Sequence, residues 1–448
     1  MIISKQRTRR AALVAGVAAL SIIGVTGCTA SDGSTDGSTV LNLWYGFEPG
    51  QADAITSLIQ QWDEANPDVT VEITAMGPEL NPPALLPALS AGEGPDMWVG
   101  DISPGQPQAF IQSGLVADLA SYYCDLGWND TLPTDLASLV SSDGSLWAVP
   151  NSIESTGMFY RKSIFADLGL QVPATWDELL ATIATLQENG YDIPIGAPGA
   201  DGWPLTQMLG AMWGLSSGPE GIQETLFGDG TWDSPDYLAA SEKFVELQAL
   251  GAFGPEPLAY NYQATMADFY TGVSPMTYTG GFVIPGAIED AGEAFDDIGI
   301  FALPNPTGGP MLANASPGEG WYVNANSSHI DLSVDLLNFL FFTDASRTAI
   351  LEGGLIPVGP VDVDSVELPS ALKELLAAMN EVRDNGVVPA FLEGVTPGGQ
   401  FEVTMSSVQG VLDGSVDATQ LNAAIQTAWQ AGKDAGETFA AGNPPTCG

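Results

Sequence analysis

The spacing of apolar residues predicts alternating strands and helices from residue 39 onward. The segment TVLNLWYGF (residues 39–47) predicts a strand, and the alternation of apolar and polar side chains over residues 69–73 predicts a second one. Between them lies a predicted helix that ends at Asn66-Pro67. Its apolar residues share one face and are Ile55, Leu58, Ile59 and Trp62. A strand, a helix and a strand at this spacing indicate a parallel sheet.

Similar patterns continue through the rest of the chain, without an internal repeat. Thr175-x-x-Glu178 is a capping box, which predicts the start of a helix that ends at Asn189-Gly190. Residues 199–235 are rich in Gly, Trp and Pro, which predicts loops with short helices, whereas the chain after Trp321 is mostly helical in its periodicity. Further strands are predicted at 94–101, 146–150, 156–162, 274–284 and 298–304.

The first residues have the pattern of an export signal. A basic head (Lys5 to Arg10) precedes the apolar run Ala11 to Val25, which is shorter than the ~20 residues of a membrane-spanning helix. Val25-Thr26-Gly27-Cys28 resembles a bacterial lipobox, so we expect cleavage after residue 27 and a lipid on Cys28. An ordinary secretory cleavage with Cys28 free is the alternative, and the Arg9-Arg10 pair leaves twin-arginine export open. After the cysteine, residues 28–39 are Ser, Thr, Gly and Asp with one Ala, and they predict a flexible tether.

The charge balance restricts the classes of ligand. The chain has 11 Lys and Arg against 55 Asp and Glu, a formal net charge of −44. Removal of residues 1–27 takes away four basic residues and no acidic ones, which leaves −48. Such a surface repels nucleic acid and anionic lipid headgroups and disfavours phosphorylated ligands. It is otherwise typical of a very soluble protein.

Cysteine and histidine are scarce. Besides Cys28 the chain has only Cys124 and Cys447, and in an exported protein these favour one disulfide, with two free thiols as the alternative. His329 is the single histidine, so a histidine-rich metal site is excluded and a Ser-His-Asp centre is possible only there. The sequence contains neither a phosphate-binding loop nor a calcium loop.

Five stretches together resemble the bacterial extracellular solute-binding proteins of the sugar type, which feed ATP-driven importers. The most specific is DGSLWAVPNSIESTGMFYRKSIFADLGLQVPATWDELL (residues 143–180). It departs from the family pattern at Asn151, where an apolar residue is usual, and at Arg161, where Asn or Asp is usual. The other four stretches are residues 41–73, 94–119, 272–284 and 334–358.

The resemblance implies an α/β, two-lobed periplasmic-binding-protein fold. Each lobe would be a mostly parallel sheet flanked by helices, and several crossing segments would form the hinge. By similarity, lobe one would comprise residues 40–150 and 275–318, and lobe two residues 151–274 and 319–448. The lobes would close on the ligand, and the closed form would dock on membrane permease subunits. A lipid on Cys28 would hold such a receptor at the outer face of the cell membrane.

Aromatic and acidic residues are suited to a sugar, because rings cover the apolar faces of a sugar and carboxylates accept protons from its hydroxyls. We expect a monomer that binds a neutral oligosaccharide and needs no cofactor, metal or nucleic acid. A purely structural role is the alternative for each candidate contact. The candidates, carried over by motif, are Glu48, Asp101, Glu154, Trp203, Phe282, Trp321 and Phe401.

Two other functions stay open at this point. A binding protein for another solute, such as a polyamine, would suit the acidic chain. A glycoside hydrolase at the cell surface needs a pair of carboxyl groups, and a chain with 55 acidic residues cannot lack close pairs.

Overall fold

We analysed a computed structural model of the chain. It describes residues 38–46, 51–76, 83–102, 107–132, 134–392, 396, 398–436 and 444–447. Residues Thr39–Gly448 form one compact unit, to which the following description applies. Cys28 and Glu48 lie outside the described residues. In the described part, no helix is both long enough and apolar enough to cross a bilayer.

The strands are short, and about half of them lie where the sequence predicts them. In chain order they are β1 Thr39–Tyr45, β2 Val69–Ala75, β3 Met97–Gly100, β4 Ser141–Ser142, β5 Ser145–Leu146, β6 Val149–Pro150, β7 Ile153–Glu154, β8 Thr156–Arg161, β9 Ile195–Gly196, β10 Met276–Gly280, β11 Ile298–Phe301, β12 Ala313–Asn314, β13 Ser316–Pro317, β14 Gly320–Val323 and β15 Val387–Val388.

Helices occupy most of the remaining chain. They are α1 Gln51–Ala65, α2 Leu85–Ala91, α3 Gln108–Gln112, α4 Ala120–Asp125, α5 Thr134–Leu139, α6 Lys162–Leu168, α7 Trp176–Glu188, α8 Trp203–Phe227, α9 Pro235–Ala249, α10 Tyr262–Thr271, α11 Ile284–Asp290, α12 Ile330–Phe342, α13 Asp344–Glu352, α14 Ser370–Arg383, α15 Gly398–Leu412 and α16 Ala418–Ala435.

The first sheet has the strand order β2-β1-β3-β14-β6. β1 is parallel to β2 and β3, as the strand–helix–strand pattern predicts, whereas β14 runs antiparallel to β3 and β6. The predicted apolar face of α1 is buried in the core below this sheet, with Ile55 and Trp62 no more than 2% exposed. The parallel part of this sheet is thus confirmed.

The second sheet has the order β11-β8-β10-β9 and is mixed, not mostly parallel as expected. β8 is antiparallel to both β10 and β11, and β10 is parallel to β9. Its core includes the inward face predicted for α7, and Thr175 forms the predicted capping box with Glu178. The predicted strand 274–284 is shorter in the structure, because after Gly280 the chain turns into a 3₁₀ turn, Gly281–Val283.

The strand partners differ from the expected division of the chain. β10 and β11, expected in lobe one, bond to β8 of the second sheet, and β14, expected in lobe two, bonds to β3 of the first. Periodicity identifies strands but not their partners, and partners decide which sheet a strand joins. We therefore propose residues 39–150 and 320–358 for lobe one and 156–312 and 361–435 for lobe two.

Three segments run between the two sheets and form what we call the crossing: residues 150–156, 313–320 and 353–361. β7 pairs with β13, and the N–H of Ile153 donates to the carbonyl of Ile356 at 2.7 Å. These bonds hold the three segments side by side. Three adjacent backbone segments therefore lie where we expect the hinge between the lobes.

α8 occupies much of the segment 199–235, which we predicted as loops with short helices. It has 25 residues, with a kink at Gly218, and its first half is almost completely buried. Met208, Met212 and Trp213 are all 0% exposed. A helix that is buried all round lacks the polar stripe that makes a helix visible in a sequence. The prediction of only short helices was wrong here for that reason.

Cys124 and Cys447 are joined by a disulfide. Cys124 lies in α4 and packs against the core of the first sheet. α16, the last helix before Cys447, contributes Leu421, Ile425 and Trp429 to the core of the second sheet. The bond therefore ties the end of the chain to the first sheet's core, whereas the last helix packs in the core of the second sheet.

Candidate functional site

Of the acidic candidates that the structure describes, Glu154 is the more deeply buried. It lies on β7 in the crossing and is 4% exposed. Its Oε1 is 2.8 Å from Ser152 Oγ, and its carboxyl group accepts the backbone N–H of Phe282. The pKa of Glu154 is raised to about 8. Burial is the main cause, and the nearby Glu319 carboxyl contributes to the rise. At neutral pH this group is therefore mostly a neutral carboxylic acid.

Phe282 and Trp203, both candidates for stacking on a ligand, lie together beside this acid. Their ring centroids are 6.0 Å apart, and Tyr262 completes the group at 4.9 Å from Trp203. Trp203 is half-buried, whereas Phe282 is 9% exposed. We call Trp203, Tyr262 and Phe282 the aromatic group. Since the N–H of Phe282 bonds to Glu154, the structure brings three sequence-predicted candidates into one place.

The chain before Trp203 is fixed from two sides. Asp201 Oδ2 accepts the N–H of Tyr262 at 2.6 Å, which ties the loop to α10. Gly202 has φ 78°, and a Cβ there would be 2.6 Å from Met405 Cγ on α15. Only glycine therefore allows this loop to pass so close to α15, and the start of α8 with Trp203 is held in place.

Phe401 lies on α15, half-buried, four residues before Met405 and eight before Gln409. Residues at this spacing share one helix face. Met405 abuts Gly202, and Gln409 Nε2 donates to the carbonyls of Gly199 at 3.0 Å and Ala200 at 3.1 Å. Phe401 is thus on the face of α15 that is turned to the loop before Trp203.

Asp101 and Trp321 belong to the first sheet. Asp101 follows β3, half-exposed, and its carbonyl accepts the Tyr322 hydroxyl at 2.7 Å. Trp321 is 0% exposed and packs between Tyr45 at 5.7 Å and Phe341 at 5.4 Å between ring centroids. The described structure thus places Trp321 in the core of lobe one and apart from the aromatic group.

Sequence reasoning missed three polar residues around Glu154. Asn151 Nδ2 donates to Glu319 Oε2 at 2.6 Å, and Ser152 Oγ is 2.9 Å from Asn151 Oδ1. A Cβ on Gly318 would be 2.3 Å from Ser152 Oγ, so this glycine lets the segments approach. The one signal in the sequence was the polar Asn151 at a position where the family pattern has an apolar residue.

An apolar hollow and the histidine do not involve Glu154 or the aromatic group. A solvent-open hollow of about 330 Å³ lies between α14 and strands β8, β11 and β12, with mostly apolar walls, and neither Glu154 nor the aromatic group lines it. Within the described ranges, no three His, Cys, Asp or Glu residues are grouped as a metal site. His329 is partly exposed and lies 3.4 Å from Asp96, away from the crossing.

Known proteins resemble this chain in sequence and in fold. The multiple sugar-binding protein of Streptococcus mutans is 22% identical over 328 residues, which cover 70% of this chain and 74% of that protein. A chitin oligosaccharide binding protein of known structure has a TM-score of 0.77 at 21% identity and covers 88% of this chain and 98% of its own. The GacH receptor of Streptomyces glaucescens, solved unliganded and with acarbose, has a TM-score of 0.72 at 19% identity, with the same coverage.

The likeness to these structures confirms the two-lobed α/β fold. The sequence profile of one family, the bacterial extracellular solute-binding proteins, matches residues 48–346. Because this match spans more than half of the chain, the protein belongs to the family of bacterial extracellular solute-binding proteins.

Proposed function

We propose that the protein is an extracellular receptor that binds a carbohydrate, of oligosaccharide size, between its two lobes and delivers it to the permease of an ATP-driven importer. One observation carries this proposal: the buried acid of Glu154 accepts the backbone N–H of Phe282, whose ring centroid lies 6.0 Å from that of the half-buried Trp203. A sugar ring offers an apolar face to an aromatic side chain and hydroxyls to a polar group at its edge. The two kinds of group are adjacent here, at the crossing.

Ligand-driven closure follows from the position of these residues. Glu154 lies in the crossing, Trp203 and Phe282 belong to lobe two, and Asp101 stands at the end of a strand of lobe one. A ligand that contacts both lobes stabilises the closed arrangement, because those contacts exist only there. The relatives support a sugar: one is named for multiple sugars, one for chitin oligosaccharide, and one was solved with acarbose.

The ligand class is tested by a thermal-shift screen of the purified protein against neutral oligosaccharides and polyamines. A bound ligand stabilises the folded state in proportion to the logarithm of its concentration over Kd. We expect at least one neutral oligosaccharide to raise Tm and polyamines to leave it unchanged. A rise with polyamines alone would contradict the carbohydrate proposal, and release of shorter sugars from the oligosaccharide would favour a hydrolase.

Anchoring is proposed through a lipid on Cys28. The lipid would keep the receptor beside its permease, at the outer face of the membrane. We expect Cys28→Ala to release the protein from cells into the medium, and mass spectrometry of the mature amino terminus to find an acylated Cys28. Cys124→Ala is the matched control, because it removes a cysteine that is bonded to Cys447 and not to a lipid. This variant should stay attached to cells. An unmodified amino terminus at another residue would contradict the anchor.

A further inference from the structure

Four side chains of the crossing stand in a row that links two carboxyl groups. Glu154 Oε1 is 2.8 Å from Ser152 Oγ, Ser152 Oγ is 2.9 Å from Asn151 Oδ1, and Asn151 Nδ2 is 2.6 Å from Glu319 Oε2. We call these residues the Glu154–Glu319 chain. All three distances are those of hydrogen bonds, so each link needs one hydrogen atom.

The two carboxylates, the hydroxyl and the amide do not supply enough hydrogens for three links. Ser152 has one hydroxyl hydrogen, and the Asn151 amide donates on its nitrogen side only. With Asn151 Nδ2 toward Glu319, Ser152 must donate to Asn151 Oδ1, and Glu154 must then donate to Ser152. With the amide turned over, Asn151 donates to Ser152, Ser152 donates to Glu154, and Glu319 must then donate to Asn151. In either orientation one extra proton is required, at one end or the other.

We propose that Glu319 is a positioning residue that acts on Glu154 through Ser152 and Asn151, with one proton shared between the two carboxyl groups. The links of the chain, completed by this proton, fix the orientation of the Glu154 carboxyl group that the ligand meets. This last step rests on the proposed function, whereas the sharing of the proton does not. The Asn151 amide decides which glutamate holds the proton.

The backbone holds the chain in this geometry. The N–H of Asn151 donates to the carbonyl of Glu319 at 3.0 Å, and the N–H of Gly318 donates to the carbonyl of Ser152 at 2.9 Å. These bonds join residues 151–154 to residues 318–319, which are two of the three segments of the crossing. The proton therefore links segments that run between the lobes.

Among the described contacts of Glu154, none is with a positively charged side chain that would replace this proton. The elements against Glu154 are β13 and the turn Gly281–Val283, which contain no titratable side chain, and α14, whose Leu375 lies over Gly281. On α14, Glu374 is paired with Lys162 at 3.3 Å. Tyr278, on β10, is 2.6 Å from Thr156 Oγ1. Burial and Glu319 together raise the pKa of Glu154, in agreement with the count of hydrogens. The other charged residues of α14 are Lys373, Glu381 and Arg383.

The pH dependence of unfolding tests the shared proton without any ligand. The folded protein holds the proton up to about pH 8, whereas an unfolded glutamate loses it near about pH 4.3. The folded state thus binds more protons than the unfolded state between these values, so the stability of the parent falls as pH rises. A glutamine at either end donates from its amide in place of the proton, so this component of the pH dependence disappears.

The experiment compares Tm from about pH 5 to about pH 9 in the parent, Glu154→Gln, Glu319→Gln, the double variant and Glu381→Gln. Glu381 is exposed on α14 and is the control for loss of one negative charge. We expect each single variant at the crossing to be less sensitive to pH than the parent, by the same amount. The double variant should be no less sensitive than either single one, because only one proton is lost. Glu381→Gln should follow the parent.

Other outcomes overturn the proposal. If Glu319→Gln keeps the parent's pH dependence and only Glu154→Gln loses it, Glu154 titrates alone and the chain shares nothing. Additive effects of the two substitutions would mean two independent protons. A parent as insensitive to pH as Glu154→Gln would mean that no proton is held.

A second arm tests the positioning role with the best oligosaccharide from the screen. Glu319→Ala leaves Asn151 without its acceptor, so we expect Kd to rise about 5- to 100-fold. Glu319→Gln should restore Kd to near the parent's value at neutral pH. It should also remove the rise in Kd that we expect for the parent at high pH, where the shared proton is lost. Equal losses for Ala and Gln would overturn the positioning role. If no sugar binds the parent, the proposed function fails, while the ligand-free measurements still decide whether the proton is shared.

Discussion

At the scale of single residues, Trp203 gives the clearest test of the site. It is half-buried against the same small core as Phe295, which lies in the turn before β11. Trp203→Ala removes a ring that the ligand would cover, so we expect Kd for the best oligosaccharide to rise about tenfold or more. Phe295→Ala removes a comparable packed ring away from the aromatic group, and its Kd should stay near that of the parent. Calorimetric titration of both variants is the measurement, and equal losses would assign Trp203 to packing.

The sequence allowed part of this site to be predicted. Resemblance by motif named Glu154, Trp203 and Phe282, and the structure places them together. The link from Glu154 to Glu319 could not be predicted, because it joins residues 165 positions apart through a glycine-permitted approach of two strands. The neutral form of Glu154 was also unpredictable, because it depends on burial and on a second acid, which periodicity does not reveal.

At the scale of elements, the loop before α8 connects packing to the site. Gly202 combines a positive φ with crowding by Met405, whereas Gly169 has φ 67° with open space around it. Gly169→Ala should cost about 1 kcal/mol, from backbone conformation alone. Gly202→Ala adds a clash and should cost about 3 kcal/mol.

Because Trp203 is the next residue, Gly202→Ala should also weaken sugar binding. Urea unfolding measures the first effect, and titration of the folded variant measures the second. A Gly202→Ala protein with the affinity of the parent would show that the position of this loop does not matter for the ligand.

Helix caps give an independent check on the element predictions. Thr175 accepts the N–H of Glu178 at 3.3 Å at the start of α7, whereas Ser234, at the start of α9, makes no such side-chain bond. Thr175→Ala should therefore lower the free energy of unfolding by about 1 kcal/mol. Ser234→Ala is the matched control and should change it by less than about 0.5 kcal/mol. Similar losses in urea unfolding would mean that the capping bond contributes little.

The capping box was visible in the sequence because all of its parts are local. α8 was not, because its buried first half has no polar face, and composition alone suggested loops. The partners of β10, β11 and β14 could not be predicted either, since the sequence of a strand of four or five residues does not show which strand it will bond to. Local signals thus predicted part of the elements, among them α1, α7 and β8, while the assignment of segments to lobes required three-dimensional pairing.

At the scale of the whole molecule, the charge predicts how binding responds to salt. The chain carries a net charge of −44, yet the candidate contacts that the structure brings together are aromatic rings and a neutral acid. A neutral oligosaccharide forms no ion pair that salt could screen, so we expect Kd to change less than about twofold between about 0.05 M and 1 M NaCl. Titration at several salt concentrations is the test. A steep loss of affinity would point to a cationic ligand held by the acidic surface.

The disulfide also makes most of the molecule a closed covalent ring. The bond spans 323 positions, so every residue from 125 to 446 lies inside it, including the whole second sheet. A protease that cuts one exposed loop within this ring opens it without releasing a fragment, because both ends of the cut chain stay attached through Cys124 and Cys447. A nicked protein should therefore migrate as one species on a gel without reductant and separate into two pieces only when the bond is reduced. A protein exposed to proteases outside the cell can therefore be cut once without losing a fragment.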